Sequence, residues 1–258
     1  MATYTTEITS DKLASDNPIH QRLLKAYLLA KDYVKGDLLE LGCGEGRGIH
    51  ELKELVDSYT AIDKIGEILN KLGEKYPDVN FIHSNIPPFH GIESEKYDTV
   101  VSFQVIEHIK KDRLFLEEIY RVLKPGGMAL ITTPNRKMSL TRNPWHVREY
   151  SEKELTELTT SIFDRVEALG VDGNDKVMEY YNANKESVKA FTKYDILNLQ
   201  YRLPRWMLRI PYDLANRMNR NNLMSDNDSL VNTISSDDYL LSEKPDSSLD
   251  HFYLLYKD

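Results

Sequence analysis

Three alternate glycines, Gly42, Gly44 and Gly46, stand in the run LLELGCGEGRG, with Glu40 two residues ahead of the first. Glycine adopts backbone conformations that other residues resist, and it lets a ligand lie against the main chain. Two phosphate-binding patterns can be tested on this run. The dinucleotide fingerprint wants glycines at its first, third and sixth positions. The sixth residue is Arg47 counted from Gly42 and Ile49 counted from Gly44, so both countings fail. A P-loop must finish in Gly-Lys-Ser/Thr, and that ending is missing. What remains is a loop that brings a ligand to the backbone without offering a diphosphate cradle. Asp63 ends the next apolar stretch, YTAID. A carboxylate at that place can accept both hydroxyls of a ribose, and it can equally cap the helix that follows.

These residues need a frame. Asn17-Pro18 opens a helix in which Ile19, Leu23, Leu24, Tyr27, Leu28 and Val34 recur at helical spacing. Short apolar strands are then expected at 37–41, 58–62, 79–83, 97–102 and 127–133, with amphipathic helices at 46–57, 65–75, 111–123 and 151–161. Lys124-Pro125-Gly126-Gly127 turns one helix into the next strand. A sixth strand fits 164–171, and HFYLLYKD at 251–258 reads as a seventh, at an edge. This alternation implies an α/β fold, a mostly parallel sheet with helices on both faces. The glycine loop then falls at the carboxyl end of a strand, where open α/β sheets bind ligands.

Residues 1–17 read as a flexible N-terminal arm, and 18–173 with 251–258 as the main domain. The stretch 174–250 breaks the rhythm and is expected to be a helical cap inserted before the last strand. Within it, 174–220 holds 9 basic and 5 acidic residues, whereas 221–250 holds 1 basic and 7 acidic. The spacing of Val188, Phe191, Tyr194, Ile196, Leu197 and Leu199 predicts helix in its first half. Further on, QYRLPRWMLRIPYDLANRMNR mixes five arginines with Trp206, Met207, Leu208 and Ile210. It could face a membrane, an anionic substrate or another subunit, but the expectation is that it packs on the main domain with its arginines outward.

A net charge of −8 argues against nucleic acid as a general partner. The one cysteine, Cys43, excludes an internal disulfide and suits a reducing compartment. The polar N-terminus lacks the apolar core of a signal peptide, and no apolar run approaches a membrane span. A cytoplasmic protein is expected.

Taken together, LLELGCGEGRG, AID, YDTVVSFQVIEHI and LKPGGMALITTPN resemble successive motifs of the class I S-adenosylmethionine-dependent methyltransferases. The resemblance runs over about residues 20–172, with a family-like last strand at 251–257. It implies a Rossmann-like, seven-stranded sheet and S-adenosylmethionine as cofactor. It also implies that Glu40 and the loop of Gly42, Cys43, Gly44 and Gly46 meet the methionine end, while Asp63 binds the ribose. At the third strand's end the family often has Asp, where this chain has Ser84-Asn85; Asn85 can still donate to and accept from an adenine edge. Gln104, at the fourth strand's end, joins the expected cofactor contacts.

The sulfonium methyl is already an electrophile, so the protein must align an acceptor and, where needed, take its proton. Glu107 and His108, in SFQVIEHIKK, and His146, in NPWHVREYS, are the candidate catalytic residues. Histidine, with a reference pKa of about 6.5, can take a proton at neutral pH. Trp145, Arg148 and Tyr150 are expected at the acceptor's side, although Trp145 and Tyr150 could instead pack under a helix begun by a Ser151–Glu154 capping box. Similar stretches occur in quinone-precursor O-methyltransferases and in small-RNA 3′-end methyltransferases, some of which hold a divalent metal with two acids and a histidine. Here the first acid position is Gln104, so no metal is expected. The resulting expectation is methyl transfer to a small-molecule or saccharide acceptor, at oxygen. A metal-assisted RNA-end methyltransferase and a non-catalytic S-adenosylmethionine-binding module are the alternatives.

Overall fold

The computed structural model describes residues 13–193, 195 and 198–258. Its central strands are apolar on both faces because helices cover both. In β1 (Asp37–Leu41), Leu38, Leu39 and Leu41 are fully buried. Alternation sends Leu38 to one core, with Ala61, Val101 and Leu130, and Leu39 to the other, with Val100 and Ala129. The first core is closed by α1 (Asn17–Ala30), α2 (Arg47–Leu52) and α3 (Gly66–Lys75). The second is closed by α4 (Asp112–Val122) and α5 (Glu152–Thr160). The apolar stripe of α4 shows why it folds so: Phe115, Leu116, Ile119 and Val122 recur at three- and four-residue steps, and all are fully buried.

The other strands are β2 (Ser58–Asp63), β3 (Asn80–His83), β4 (Tyr97–Phe103), β5 (Leu123–Pro134), β6 (Arg165–Gly173), β7 (Tyr239–Ser242) and β8 (Asp250–Tyr256). They lie in the order β3-β2-β1-β4-β5-β8-β6-β7. Strands β1 to β5 are paired in parallel, whereas β8 runs antiparallel to both β5 and β6. Two expectations are corrected. The sheet has eight strands, not seven, because β7 forms inside the stretch read as a helical cap and pairs antiparallel with β6. The last strand is not an edge: β8 is inserted between β5 and β6, and Phe252, Tyr253 and Leu255 are fully buried. Its unbroken apolar run suits a strand covered on both faces.

After β6 come α6 (Asp175–Thr192), α7 (Leu199–Arg202), α8 (Arg205–Asp226) and α9 (Asp228–Thr233). The side chain of Phe191, and residues Tyr194, Ile196 and Leu197, on which helix was also expected, lie outside what is described. So do residues 1–12 of the expected arm. The described end of that arm is ordered into the fold. Asp16 is fully buried and accepts hydrogen bonds from Arg217 (2.9 Å) and Arg220 (3.1 Å) of α8. A buried carboxylate must be paired, so Arg220 turns inward and Arg217 reaches across from the half-exposed side of the helix. The expectation of arginines outward is overturned there, and apolar side chains of α8 face solvent instead.

Candidate active site

The glycine loop owes its shape to backbone conformation. Gly42, Gly44 and Gly46 have φ of 76°, 50° and 80°, all in the left-handed region. At Gly42 a side chain would also strike Val105, 2.6 Å from the position of its Cβ. The loop therefore folds tightly over the end of β1 and leads into α2. Asp63, at the end of β2, fixes it from the side. One of its oxygens accepts from the Gly44 N–H (2.9 Å) and the other from the Ile65 N–H (2.9 Å). Asp63 does not cap α3, whose N-cap is Ile65 with no side-chain cap bond. It braces the turn into α3, and each oxygen keeps a second lone pair for a ligand's hydroxyl.

Glu40 sits beneath the loop, almost fully buried. Its carboxylate accepts one hydrogen bond from Tyr27 and one from Tyr59, each 2.8 Å. Burial raises its pKa to about 7, against the lowering effect of the two tyrosines. Ser84 and Asn85 follow β3, with Asn85 exposed. Because β3, β2 and β1 are neighbours, Ser84-Asn85, Asp63 and the glycine loop line up along one end of the sheet.

A cavity of about 350 Å³ opens beside this row. Gly42, Cys43, Gly44 and Arg47 line one end, then Phe103 and Gln104, and then Glu107, His108, Asn143, His146 and Glu149. Gln104 has φ of 57°, a strained value for a residue with a side chain. Its N–H donates to Thr132 O (3.0 Å), which holds the strained turn at the end of β4. Cys43 is buried, and burial pushes its thiol up, so it is a small wall residue and no nucleophile. The roof comes from the cap: Val177, Tyr180, Tyr181, Asn184 and Val188 of α6, and Tyr212, Asn216, Asn219 and Arg220 of α8. Helix α1 adds Ile19, Arg22, Leu23 and Tyr27.

The polar end is ordered by a network. His108 Nδ1 lies 3.1 Å from Trp145 O. A carbonyl can only accept, so Nδ1 carries a hydrogen and donates it. His146 Nδ1 lies 2.6 Å from Glu149 Oε1. Asn143 Oδ1 accepts from the Trp145 N–H (3.0 Å), which orients its amide so that Nδ2 faces His146 Nε2 at 3.0 Å. The lone pair of His146 is thereby engaged. Ser139 donates a further short hydrogen bond to Glu149. The two rings meet edge to face, with centroids 5.1 Å apart.

Glu107 is fully buried between them and the sheet. One oxygen accepts from the Thr133 hydroxyl (3.0 Å), while Oε1 has no hydrogen-bond partner. Burial raises its pKa to about 7, opposed by His146, the backbone and Thr133. Its backbone carbonyl accepts from the N–H groups of Val147 (2.6 Å) and Arg148 (3.2 Å), tying the histidine loop to the end of β4.

Ligand atoms of Glu107, His108 and His146 all lie within 4.8 Å of one another, close enough to hold a metal ion. The sequence reading tied a metal to an acid at position 104, and the fold supplies His146 as a third donor instead. One carboxylate and two imidazoles suit a borderline divalent ion rather than magnesium. The fit is incomplete, because His146 offers its nitrogens to Glu149 and Asn143.

The expected acceptor contacts fare differently from the histidines. Trp145, Arg148 and Tyr150 do not line the cavity. Tyr150 is fully buried in the second core and donates to Asp112 (2.8 Å). Arg148 pairs with the same Asp112 (3.2 Å), and Trp145 donates to Asp213 (2.9 Å). The Ser151–Glu154 capping box is formed, which favours packing over acceptor binding for this stretch. The tyrosines and asparagines of the cap, and Arg22 and Tyr27 of α1, were not singled out for the site from sequence. Nothing in a helical repeat tells which face will meet a cavity.

The chain is similar to known methyltransferases. A family model described as a methyltransferase domain matches residues 39–131. A "Probable S-adenosylmethionine-dependent methyltransferase" of Mycolicibacterium smegmatis is 36% identical over 174 residues, covering 65% of this chain and 67% of that protein. A ubiquinone biosynthesis O-methyltransferase of Rickettsia conorii is 30% identical over 135 residues, which span 50% of this chain but only 45% of that protein. Among solved structures, an S-adenosylmethionine-dependent methyltransferase of Thermotoga maritima superposes with a TM-score of 0.57 at 14% identity, covering 95% of this chain and 91% of that one. That last likeness concerns the fold alone. With a relative 36% identical and matched over two thirds of its length, the chain belongs to the S-adenosylmethionine-dependent methyltransferases.

Proposed function

We propose that the enzyme transfers the methyl group to a hydroxyl of a small-molecule or saccharide acceptor bound under the cap, with His108 as general base. S-adenosylmethionine would lie along the sheet end, its ribose at Asp63 and its methionine end over the Gly42–Gly46 loop. The observation that carries the reading is the place of His108 on the cavity wall, next to Glu107 and His146. Its Nδ1 lies against Trp145 O, which fixes the ring, and His108 lines the cavity beside the buried Glu107. An alcohol attacks a sulfonium slowly unless its proton is leaving. Glu107, with its buried unpaired oxygen, stabilises the imidazolium that forms. In this reading His146, fixed by Glu149 and Asn143, positions the acceptor rather than taking its proton. The ubiquinone-biosynthesis relative is named an O-methyltransferase, which supports oxygen as the acceptor atom.

The metal-assisted alternative has the clustering of Glu107, His108 and His146 in its favour. In that case those three side chains would hold a divalent ion, which would lower the pKa of a bound hydroxyl. The base reading is preferred here because His146 is already engaged.

Methyl transfer as a function of pH tests the base. General-base loss typically costs about 100- to 10,000-fold. His108→Ala should fall in that range with saturating substrates and lose the acidic limb of the rate profile. His146→Ala should mainly raise KM for the acceptor. Wild-type rates for His108→Ala would refute the assignment and point to an acceptor, such as an amine, that needs only alignment.

A further inference from the structure

The outward side of α8 carries an apolar stripe. Trp206, Ile210, Leu214 and Met218 are 72%, 73%, 62% and 58% exposed. They stand four residues apart, and each such step turns an α-helix by only about 40°, so they form one continuous band. Met207 falls within that arc, and exposed Leu199 and Tyr201 of α7 lie just before it. Single exposed apolar residues are ordinary, but a contiguous band marks a surface meant to be covered.

Charge identifies the cover. Between residues 199 and 220 there are five arginines and one acid, Asp213, a balance of +4, whereas the whole chain carries −8, leaving −12 for the rest. Arg217 and Arg220 are paired with Asp16. Of the others, Arg205 and Arg209 gather at the start of the band, together with Arg142 from outside this stretch. Arg142 donates to Gln200 O (2.8 Å), Arg205 donates to Val147 O, and Arg209 stacks on the Trp145 ring at 4.4 Å. Arg142 and Arg209 are near enough to Arg205 that, with burial, they lower it from the usual arginine range. Crowded cations beside an apolar band, on an otherwise acidic chain, are the pattern of a helix lying in an anionic lipid interface.

We propose that α7 and α8 dock this enzyme on an anionic membrane surface, the band of Trp206, Ile210, Leu214 and Met218 entering the headgroup boundary and the arginines meeting lipid phosphates. The contact is peripheral, since among the described residues no helix is long and apolar enough to cross a membrane. The opposite side of α8 carries Tyr212, Asn216, Asn219 and Arg220 into the cavity wall. Docking would therefore bring the cavity beside the lipid and suit an amphiphilic acceptor. That consequence rests on the cavity being the acceptor site; docking itself does not, so the two fail separately.

The test uses the full chain and vesicles of phosphatidylcholine with or without phosphatidylglycerol. A Trp145→Phe variant leaves Trp206 as the reporter, since the chain has two tryptophans. We expect co-sedimentation with the anionic vesicles, a blue shift of Trp206 emission, and weakening by salt. Ile210→Glu with Leu214→Glu should reduce binding at least about tenfold, while circular dichroism and S-adenosylmethionine binding stay unchanged, because both side chains are in solvent. No binding to anionic vesicles overturns the proposal, as does binding that the double variant leaves intact. A chain that ignores vesicles but dimerises through the band, with the double variant monomeric in ultracentrifugation, also overturns it and assigns the face to a second copy.

Discussion

Glu107→Gln separates the cost of burying a carboxyl from its use. In the folded chain Glu107 is raised from 4.5 to about 7, with burial as the largest cause. Below pH 4.5 both the folded and the unfolded chain hold this proton, and the group contributes nothing to the pH dependence. Between 4.5 and about 7 the folded chain keeps a proton that the unfolded chain has lost. Stability therefore falls as pH rises through this window, and the loss is complete above it. One pKa unit is worth 1.36 kcal/mol, so the full loss is on the order of 3 kcal/mol. Glutamine cannot ionise, and its amide oxygen can still accept from Thr133. Relative to the wild type, the variant should thus gain on the order of 3 kcal/mol between pH 5 and pH 8. For a domain of this size that is roughly 6–12 °C in Tm. Urea and thermal unfolding of both proteins at pH 5, 6, 7 and 8 measure it. Glu40 is raised to about 7 in the same way and is kept in both proteins, so the variant retains a residual slope and the difference isolates Glu107. A stability difference that stays constant across these pH values would show that Glu107 titrates alike in the folded and unfolded chain.

The remaining predictions concern ligands. Asp63→Ala should weaken S-adenosylmethionine by roughly 10- to 150-fold, the equivalent of about 1.5–3 kcal/mol for bonds to a charged group; equal affinities by calorimetry would remove Asp63 from the ribose site, and NAD should bind neither protein. Activity should survive exhaustive chelation, because the nitrogens of His146 are already engaged; loss restored by a divalent ion would instead assign Glu107, His108 and His146 as its ligands. The cap should close over bound acceptor, so limited proteolysis within 174–250 should slow when cofactor product and acceptor are both present; cleavage indifferent to ligand would count against a lid.

The glycine loop and Asp63 were legible in the sequence because their demands are local. Positive φ needs glycine, and an acid at a strand tip acts wherever the strand goes. The parallel strands were legible for the same reason, since each apolar run shows its own period. Strand β8 was misplaced because a strand's position in the sheet depends on its partners. HFYLLY says that both faces are buried but not that β5 and β6 stand on either side. Trp145, Arg148 and Tyr150 were read toward the acceptor because they surround His146 in sequence. Their direction is decided by residues far away, Asp213 for Trp145 and Asp112 for the other two.

Helix α8 shows the same limit most sharply. In isolation its arginines and its apolar residues compete for the inward face, and elementary hydrophobicity favours the apolar set. The decision comes from Asp16, about 200 positions earlier, whose carboxylate is fully buried. Leaving that charge unpaired would cost several kcal/mol, comparable with the gain from burying one or two large apolar side chains. Arg220 therefore turns inward to meet it, Arg217 reaches it with its side chain 41% exposed, and Trp206, Ile210, Leu214 and Met218 are left in solvent. An energetic compromise of this kind persists most readily where the displaced apolar face has another use. The opposite side of the same helix, with Tyr212, Asn216, Asn219 and Arg220, forms part of the cavity wall.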